Sequence, residues 1–469
     1  MWTIFNLQLH DNLRSLRFQV SLVVLLLFFV GNGIIYSMKI ERLVSEDAMI
    51  EQTMERRIED VSSVGAAAET WVQILNQETG TEFISEAGFN WFPSVLWVNP
   101  EYGTNLGYQT LRTTNNWMRR FEVLDWTLIV RYVLSFLCIV LAYNAVSGEL
   151  ERGTLRLVMA NPVPRAAFML GKFLAHLATL VVSVALGSLI SLAILALGGL
   201  VSLDAALWLS YMTFLLSATL FAALFLLLSM GVSVLARNSA TSLVFLVTIW
   251  TLLIVVIPQA SYLVATQTMQ LDDSRWDEMN ELQSATWESL QREGSVPRAM
   301  EIAAADGYAA ERRFARRMRE IDGQVNRLRD QIEEDRWEQF RVARRVNLLS
   351  PGYAFQYSVE ALLGSGLQWM ENFGRQGHRY REHLQKFLRA RDESDPTSPH
   401  IPFLQDFMSQ EELDPSLIPR FQSTPVPLEQ RLETGLVPIT SLLVETILAL
   451  FFALWAFHRA ELSGGEQVG

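Results

Sequence analysis

The stretch "YNAVSGELERGTLRLVMANPVPRAAFMLGK", residues 143–172, is a charged island between two apolar runs at 125–146 and 173–200. Each run is long enough to cross a bilayer, which takes about 20 residues of helix, so the island sits at a membrane surface. It holds Arg152, Arg156, Arg165 and Lys172, whereas "GLVSLDAAL", the next short link, has no Lys or Arg. The link after that, "LARNSA", carries Arg237. Short basic connections stay in the cytoplasm, which places the island and the Arg237 turn on that side.

Working outward, six apolar segments qualify as spans: approximately 18–38, 125–146, 173–200, 207–235, 241–263 and 436–457. Composition agrees, with 50% hydrophobic residues, a mean hydropathy of +0.19 and only 19% charged residues. Soluble domains carry about a quarter charged residues. The first segment is too long for a secretory signal and lacks a small-residue cleavage site, so it is counted as a span. Six crossings put residues 1–17 and 458–469 in the cytoplasm and 39–124 and 264–435 outside. The expected fold class is an all-α polytopic membrane protein: six transmembrane helices with two mainly helical extracytoplasmic insertions, between spans one and two and between spans five and six. A net charge of −12 excludes nucleic acid as a partner. The single cysteine, Cys138, excludes an intrachain disulfide and a cysteine-rich zinc site.

In the first insertion a polar helical stretch from residue 41 gives way to "GFNWFPSVLWVNPEYGTN", which reads as turns and loops. In the second, Phe314, Met318, Ile321, Val325, Leu328 and Ile332 alternate spacings of four and three. That seam runs for under three heptads, so it fits an amphipathic helix packed in a helical domain, with a coiled-coil contact as the alternative. "ARDESDPTSPHIPF" and "STPVPLEQ" are Pro-rich connectors. The start "WTIFNLQLHDNLRSLR" gathers Trp2, Ile4, Phe5, Leu9, Leu13 and Leu16 towards one side, as an interfacial helix does.

Within the island, Glu149 and Glu151 lie near a helix start, where carboxylates favour the dipole. Thr154, Leu155 and Val158 can form a compact docking face, and Asn161-Pro162 breaks the helix. A loop that merely obeys topology would explain the basic residues but not the acidic pair or the proline pattern. The island resembles the cytoplasmic connection of type-two ABC exporter permeases. It has the acidic pair Glu149 and Glu151 with Arg152, then Gly153-Thr154-Leu155, Pro162, Arg165 and Gly171-Lys172. "LLSMGVSVLARNSATSLVFLVTIWTLLIVVIPQAS" looks like that family's fourth-to-fifth connection, and the family has an elbow helix before its first span. "RRVNLLSPGYAFQYSVEALLGSG" resembles a subgroup with enlarged extracytoplasmic domains, which includes permeases tied to gliding motility and nitrous-oxide-reductase maturation. Asn144 departs from the Asp of that subgroup.

The resemblance implies the permease subunit of an exporter in a bacterial inner membrane. It would act as a homodimer or a heterodimer with a related permease, driven by two copies of a separate ABC ATPase that hold the ATP and Mg. This chain would bind no cofactor itself and have no catalytic residues. The alternative is a mechanotransmission subunit that drives an extracytoplasmic partner protein and moves nothing across the bilayer. The tail "LSGGEQ", Leu462–Gln467, resembles the ATPase signature motif. A nucleotide-binding domain also needs a G-x-x-x-x-G-K-[ST] loop, and none occurs.

Ionisable residues within spans are functional candidates. Arg131 and Glu445 lie at similar depth and are expected to pair, with snorkelling of Arg131 as the alternative. "HRYREH" offers His378, Glu382 and His383, but the histidines stand at i and i+5, off a single helical face. Solvated surface is the better reading than a zinc peptidase motif.

Overall fold

The computed structural model describes residues 1–76, 80–86, 95–107, 124–160, 164–236 and 238–459. The described residues are mostly helical and include six helices long and apolar enough to cross a membrane: Leu16–Glu59, Trp126–Glu151, Arg165–Leu197, Ala205–Leu235, Ser239–Thr268 and Leu428–Arg459. They are called spans one to six. The helix α1 (Trp2–Arg14), the 143–172 island and the end of span six share one face, termed proximal. The described residues within 39–124, the turn at 198–204 and residues 269–427 lie towards the opposite, distal face.

Local chemistry sets where the spans begin. Ser15, Asp125, Asp204 and Asn238 each accept a backbone N–H through their side chains at the heads of spans one, two, four and five. Each satisfies one of the donors a helix start leaves unpaired. Spans two and five loosen into π-helix at Ile129–Leu134 and Leu252–Val256. Such insertions widen one turn and redirect side chains.

Span four is the most enclosed, with Phe214, Phe221 and Phe225 fully buried. It packs against span six and span three. At the distal end a polar knot ties spans one, two and three. The Asn32 carbonyl oxygen accepts from Trp126 Nε1 at 2.9 Å and Ser191 Oγ at 2.7 Å. Trp126 is wholly buried among Phe29, Phe83, Tyr211 and Phe214.

Span one does not stop at the membrane. It runs as one helix of 44 residues, about 66 Å, into the distal region, where Met54 and Ile58 are buried. After α2 (Val64–Glu69) come β1 (Val72–Leu75), β2 (Val95–Asn99) and β3 (Gly103–Gly107), a small antiparallel sheet in the order β1-β2-β3. Its register pairs Val72 with Val98 and Leu96 with Leu106. The first insertion is therefore not only helix and loop: Val95–Asn99 and Gly103–Gly107, expected as loops, are strands. The island continues span two into α3 (Thr154–Met159).

The second insertion is helical, as its periodicity implies. It comprises α4 (Ser274–Arg292), α5 (Met300–Ala305), α6 (Ala309–Asn347), α7 (Pro351–Leu363) and α8 (Leu367–Ser394). The seam residues Phe314, Ile321, Val325 and Ile332 of α6 are buried, and Ile321 and Val325 pack on Met279 and Leu282 of α4. The seam therefore closes a helical pair within the chain. Glu311, wholly covered, accepts from Arg298 Nε and Nη2, both at 3.0 Å, and the guanidinium holds its carboxyl below the usual range. Helix α8 lies on the sheet, with Tyr380, Leu384 and Leu388 buried.

Helix α7 turns back into the core of the spans. Ala354, Phe355 and Val359 are fully buried, Phe355 stacks on Phe221 at 5.0 Å, and Ser350 Oγ donates to the Leu253 carbonyl of span five.

Candidate functional site: the proximal clasp

Span two ends in a short helix, Ser147–Glu151, whose start is fixed by span four. Ser233 Oγ accepts from Val146 N at 3.2 Å and from Ser147 N at 3.0 Å. Glu149, in the first turn, pairs with Lys172 of span three. Lys172 is only 5% exposed, and its ammonium also donates to the Ala145 carbonyl at 2.7 Å and lies 5.0 Å from the Phe168 ring centre. Removing either partner of such a pair leaves an uncompensated buried charge.

Glu151 closes the other side. It sits at the end of its own helix and accepts from Ser239 N at 2.7 Å and Ser239 Oγ at 2.8 Å. The dipole it complements is therefore that of span five, three spans on in the chain, and not that of the helix that carries it. Arg152 Nε bonds back to the Gly148 carbonyl, and Thr154 Oγ1 to the Glu149 carbonyl. Gly153, at φ +72°, makes the reversal into α3 with a left-handed backbone that suits glycine.

Arg165 opens span three and donates to the His458 carbonyl of span six at 2.9 Å. Phe168 stacks on Phe457 at 5.8 Å beside it. A cation on the last carbonyls of a helix complements the dipole there. At Gly171, an added Cβ would stand 3.0 Å from the Met1 carbonyl and 3.1 Å from Ile4. The absent side chain is what lets α1 lie against span three. Asn12 Nδ2 meets His176 Nδ1 at 3.1 Å in the same interface, and Gln8 bonds Asn12 at 2.9 Å.

The island thus gathers spans two to six and, through span three, α1. Among its described residues, the turn Glu151, Arg152, Gly153 and Thr154 is the longest exposed run, and Ala160, Pro164, Arg165 and Ala166 are exposed as well. Leu155 is not part of that surface: at 2% exposed it joins the core of the spans, where a six-residue helix can bury only one side. Asn161, Pro162, the Arg237 turn and the tail Leu462–Gln467 lie outside the described residues.

The expected Arg131–Glu445 pair is not formed. Arg131 is 8% exposed, and its two terminal nitrogens donate to Gln356 of α7 and to Tyr132 Oη at 3.0 Å, with its guanidinium 4.5 Å from the Tyr353 ring. The returning helix α7 supplies these partners, so Arg131 neither reaches span six nor snorkels. Glu445 is partly buried, and its Oε2 has no hydrogen-bond partner. His378, Glu382 and His383 are exposed on α8.

Sequence reasoning named both members of the Glu149–Lys172 pair but missed the partners of the other clasp contacts: Ser233, Ser239, His176 and the His458 carbonyl. Only Ser239 had a local signal, because Asn238-Ser239 before an apolar run is a helix-start signature.

Six membrane-length helices, five of them joined at their proximal ends by one short basic connection, define a polytopic membrane protein. Residues 2–462 match the family model described as ABC-2 family transporter protein, and the chain belongs to that family. It is therefore an ABC transporter permease, of a family normally not catalytic itself, and an ABC permease implies an ATPase partner. The chain is 26% identical over 165 residues to the probable ABC transporter permease protein NosY of Stutzerimonas stutzeri, covering 34% of this chain and 56% of that one. It is 31% identical over 104 residues to the protein of the same name from Pseudomonas aeruginosa, covering 22% and 35%. The matches thus span about half or less of those relatives' lengths.

Proposed function

We propose that the chain converts ATP-driven movement of a separate ABC ATPase pair into re-packing of its spans, with export or extraction of a substrate as the result. The observation that carries this reading is the clasp. An exposed turn at Glu151–Thr154 is held by Glu149–Lys172 on one side and by Glu151–Ser239 on the other, so a push on it reaches spans three and five directly. ATP and Mg belong to the partner, two copies of which serve a permease dimer in an inner membrane, with both ends of this chain on the cytoplasmic side. The distal insertions would then be extracytoplasmic, as in the subgroup with enlarged outer domains.

The length of span one favours a second reading beside transport. An unbroken helix of 44 residues joins the proximal face to the distal domain and could work as a lever on an extracytoplasmic partner protein. The shared step is tested with Arg152→Glu and Thr154→Trp, which alter only the exposed turn. Both variants should purify monodisperse and retain at least about tenfold less ATPase, a loss of about 1.4 kcal/mol of association. Full retention of ATPase and full coupling in both would remove the turn from the interface.

A further inference from the structure

We infer that the distal face holds a binding site for a phosphate-bearing headgroup, between the turn joining spans three and four and the head of span six. A cavity of about 420 Å³ opens there, within the size range of small-molecule sites. Two side chains in its lining keep donors without a partner among the described residues. Arg431, on the first turn of span six, bonds only the Val426 carbonyl, through Nε at 2.8 Å. No carboxylate among the described residues lies within ion-pair reach of it, and the rest of its guanidinium fork is uncommitted. Asn76 is only 8% exposed, yet its Nδ2 is buried without a hydrogen-bond partner. An unsatisfied buried amide donor costs free energy unless a ligand or water takes it. The carboxylate in the lining, Asp204, caps span four, its Oδ1 accepting from Leu207 N at 2.8 Å.

An arginine fork with an amide donor suits the several acceptor oxygens of a phosphate group. The surroundings indicate an amphiphile. Leu200, Leu207 and Trp369 also line the cavity. Exposed Leu203, Trp208, Leu428 and Leu432 flank it on spans four and six and the turn before span four, which puts the cavity at the level of the membrane interface. The geometry therefore fits a phospholipid headgroup, with free phosphate as the other source of the same chemistry. The site stands on residues remote from the clasp and does not depend on the ATPase reading.

The test uses the full chain. In phosphatidylglycerol–phosphatidylcholine nanodiscs, native mass spectrometry counts retained phospholipid of either headgroup; in delipidated dodecyl maltoside, equilibrium dialysis measures inorganic phosphate. Asn76→Asp, which is isosteric and adds a negative charge, and Arg431→Gln should each lower retention at least about tenfold, with Arg431→Lys milder. Loss in the first arm identifies a lipid, and loss in the second alone identifies the free anion. Equal binding by the wild type and Asn76→Asp in both arms overturns the site, and that variant decides alone should Arg431→Gln fail to fold.

Discussion

Lys172 shows what a single charge does inside this permease. Its ammonium is nearly covered and held by Glu149 and the Ala145 carbonyl, so its value lies in compensation rather than in raw attraction. Lys172→Met should destabilise the extracted protein by about 3–5 kcal/mol, because Glu149 is left buried and alone. The double variant Glu149→Gln with Lys172→Met should be clearly milder than the sum. Thermal unfolding of the four proteins in one detergent measures this; strict additivity would mean that the two residues act separately. A second charge effect lies in the distal domain. Arg298 lowers the Glu311 carboxyl below its ordinary value, so the bond stabilises the fold above that value and is lost as pH falls through the lowered one. Glu311→Gln should cost about 1–3 kcal/mol at pH 7, and its deficit against the wild type should shrink below about pH 4. A deficit independent of pH would assign the cost to packing alone.

Elements meet through gaps as much as through contacts. Helix α1 reaches span three only because Gly171 has no side chain. Gly171→Leu should force α1 away from span three, raising protease cleavage within residues 1–15 several-fold while the spans stay folded. Unchanged cleavage would show that α1 is held by Asn12 and His176 alone. The spans and α6 were legible because long apolar runs and a 3.6-residue period survive without context. Helix α7 was not, because its apolar residues number too few to span and its burial comes from spans two, four, five and six closing over it. The strands were hidden for a related reason. In β2, Val95, Leu96, Val98 and Asn99 are all buried, so the alternation that marks a half-exposed strand is missing, and the neighbouring Gly, Asn and Pro suggested turns. In the clasp, the donors and acceptors on the island were readable as a motif. Their partners were not, since Ser233, Ser239 and the His458 carbonyl come from spans brought near only by the fold. The Arg131–Glu445 expectation failed the same way: similar depth says nothing about which helix lies between.

At the scale of the whole molecule, the described residues form a gathered proximal end, a packed set of spans and a distal domain reached by one continuous helix. The basic short connections orient it, so Ser394→Cys should react with an impermeant thiol reagent applied outside intact cells, and Ala160→Cys should not. Both positions are exposed, and Cys138 is buried, so the background is quiet. Labelling of Ala160→Cys alone would invert the topology. On the proposed function, this chain transmits work done by a separate ATPase. That is tested by native mass and nucleotide turnover of the complex purified from its own membrane through a tag on this chain. Two permease chains with two ATPase subunits, hydrolysing ATP, are expected, with no nucleotide bound or hydrolysed once the ATPases are stripped away. A stripped chain that still hydrolyses ATP, or an active complex that contains no separate ATPase, would contradict that function.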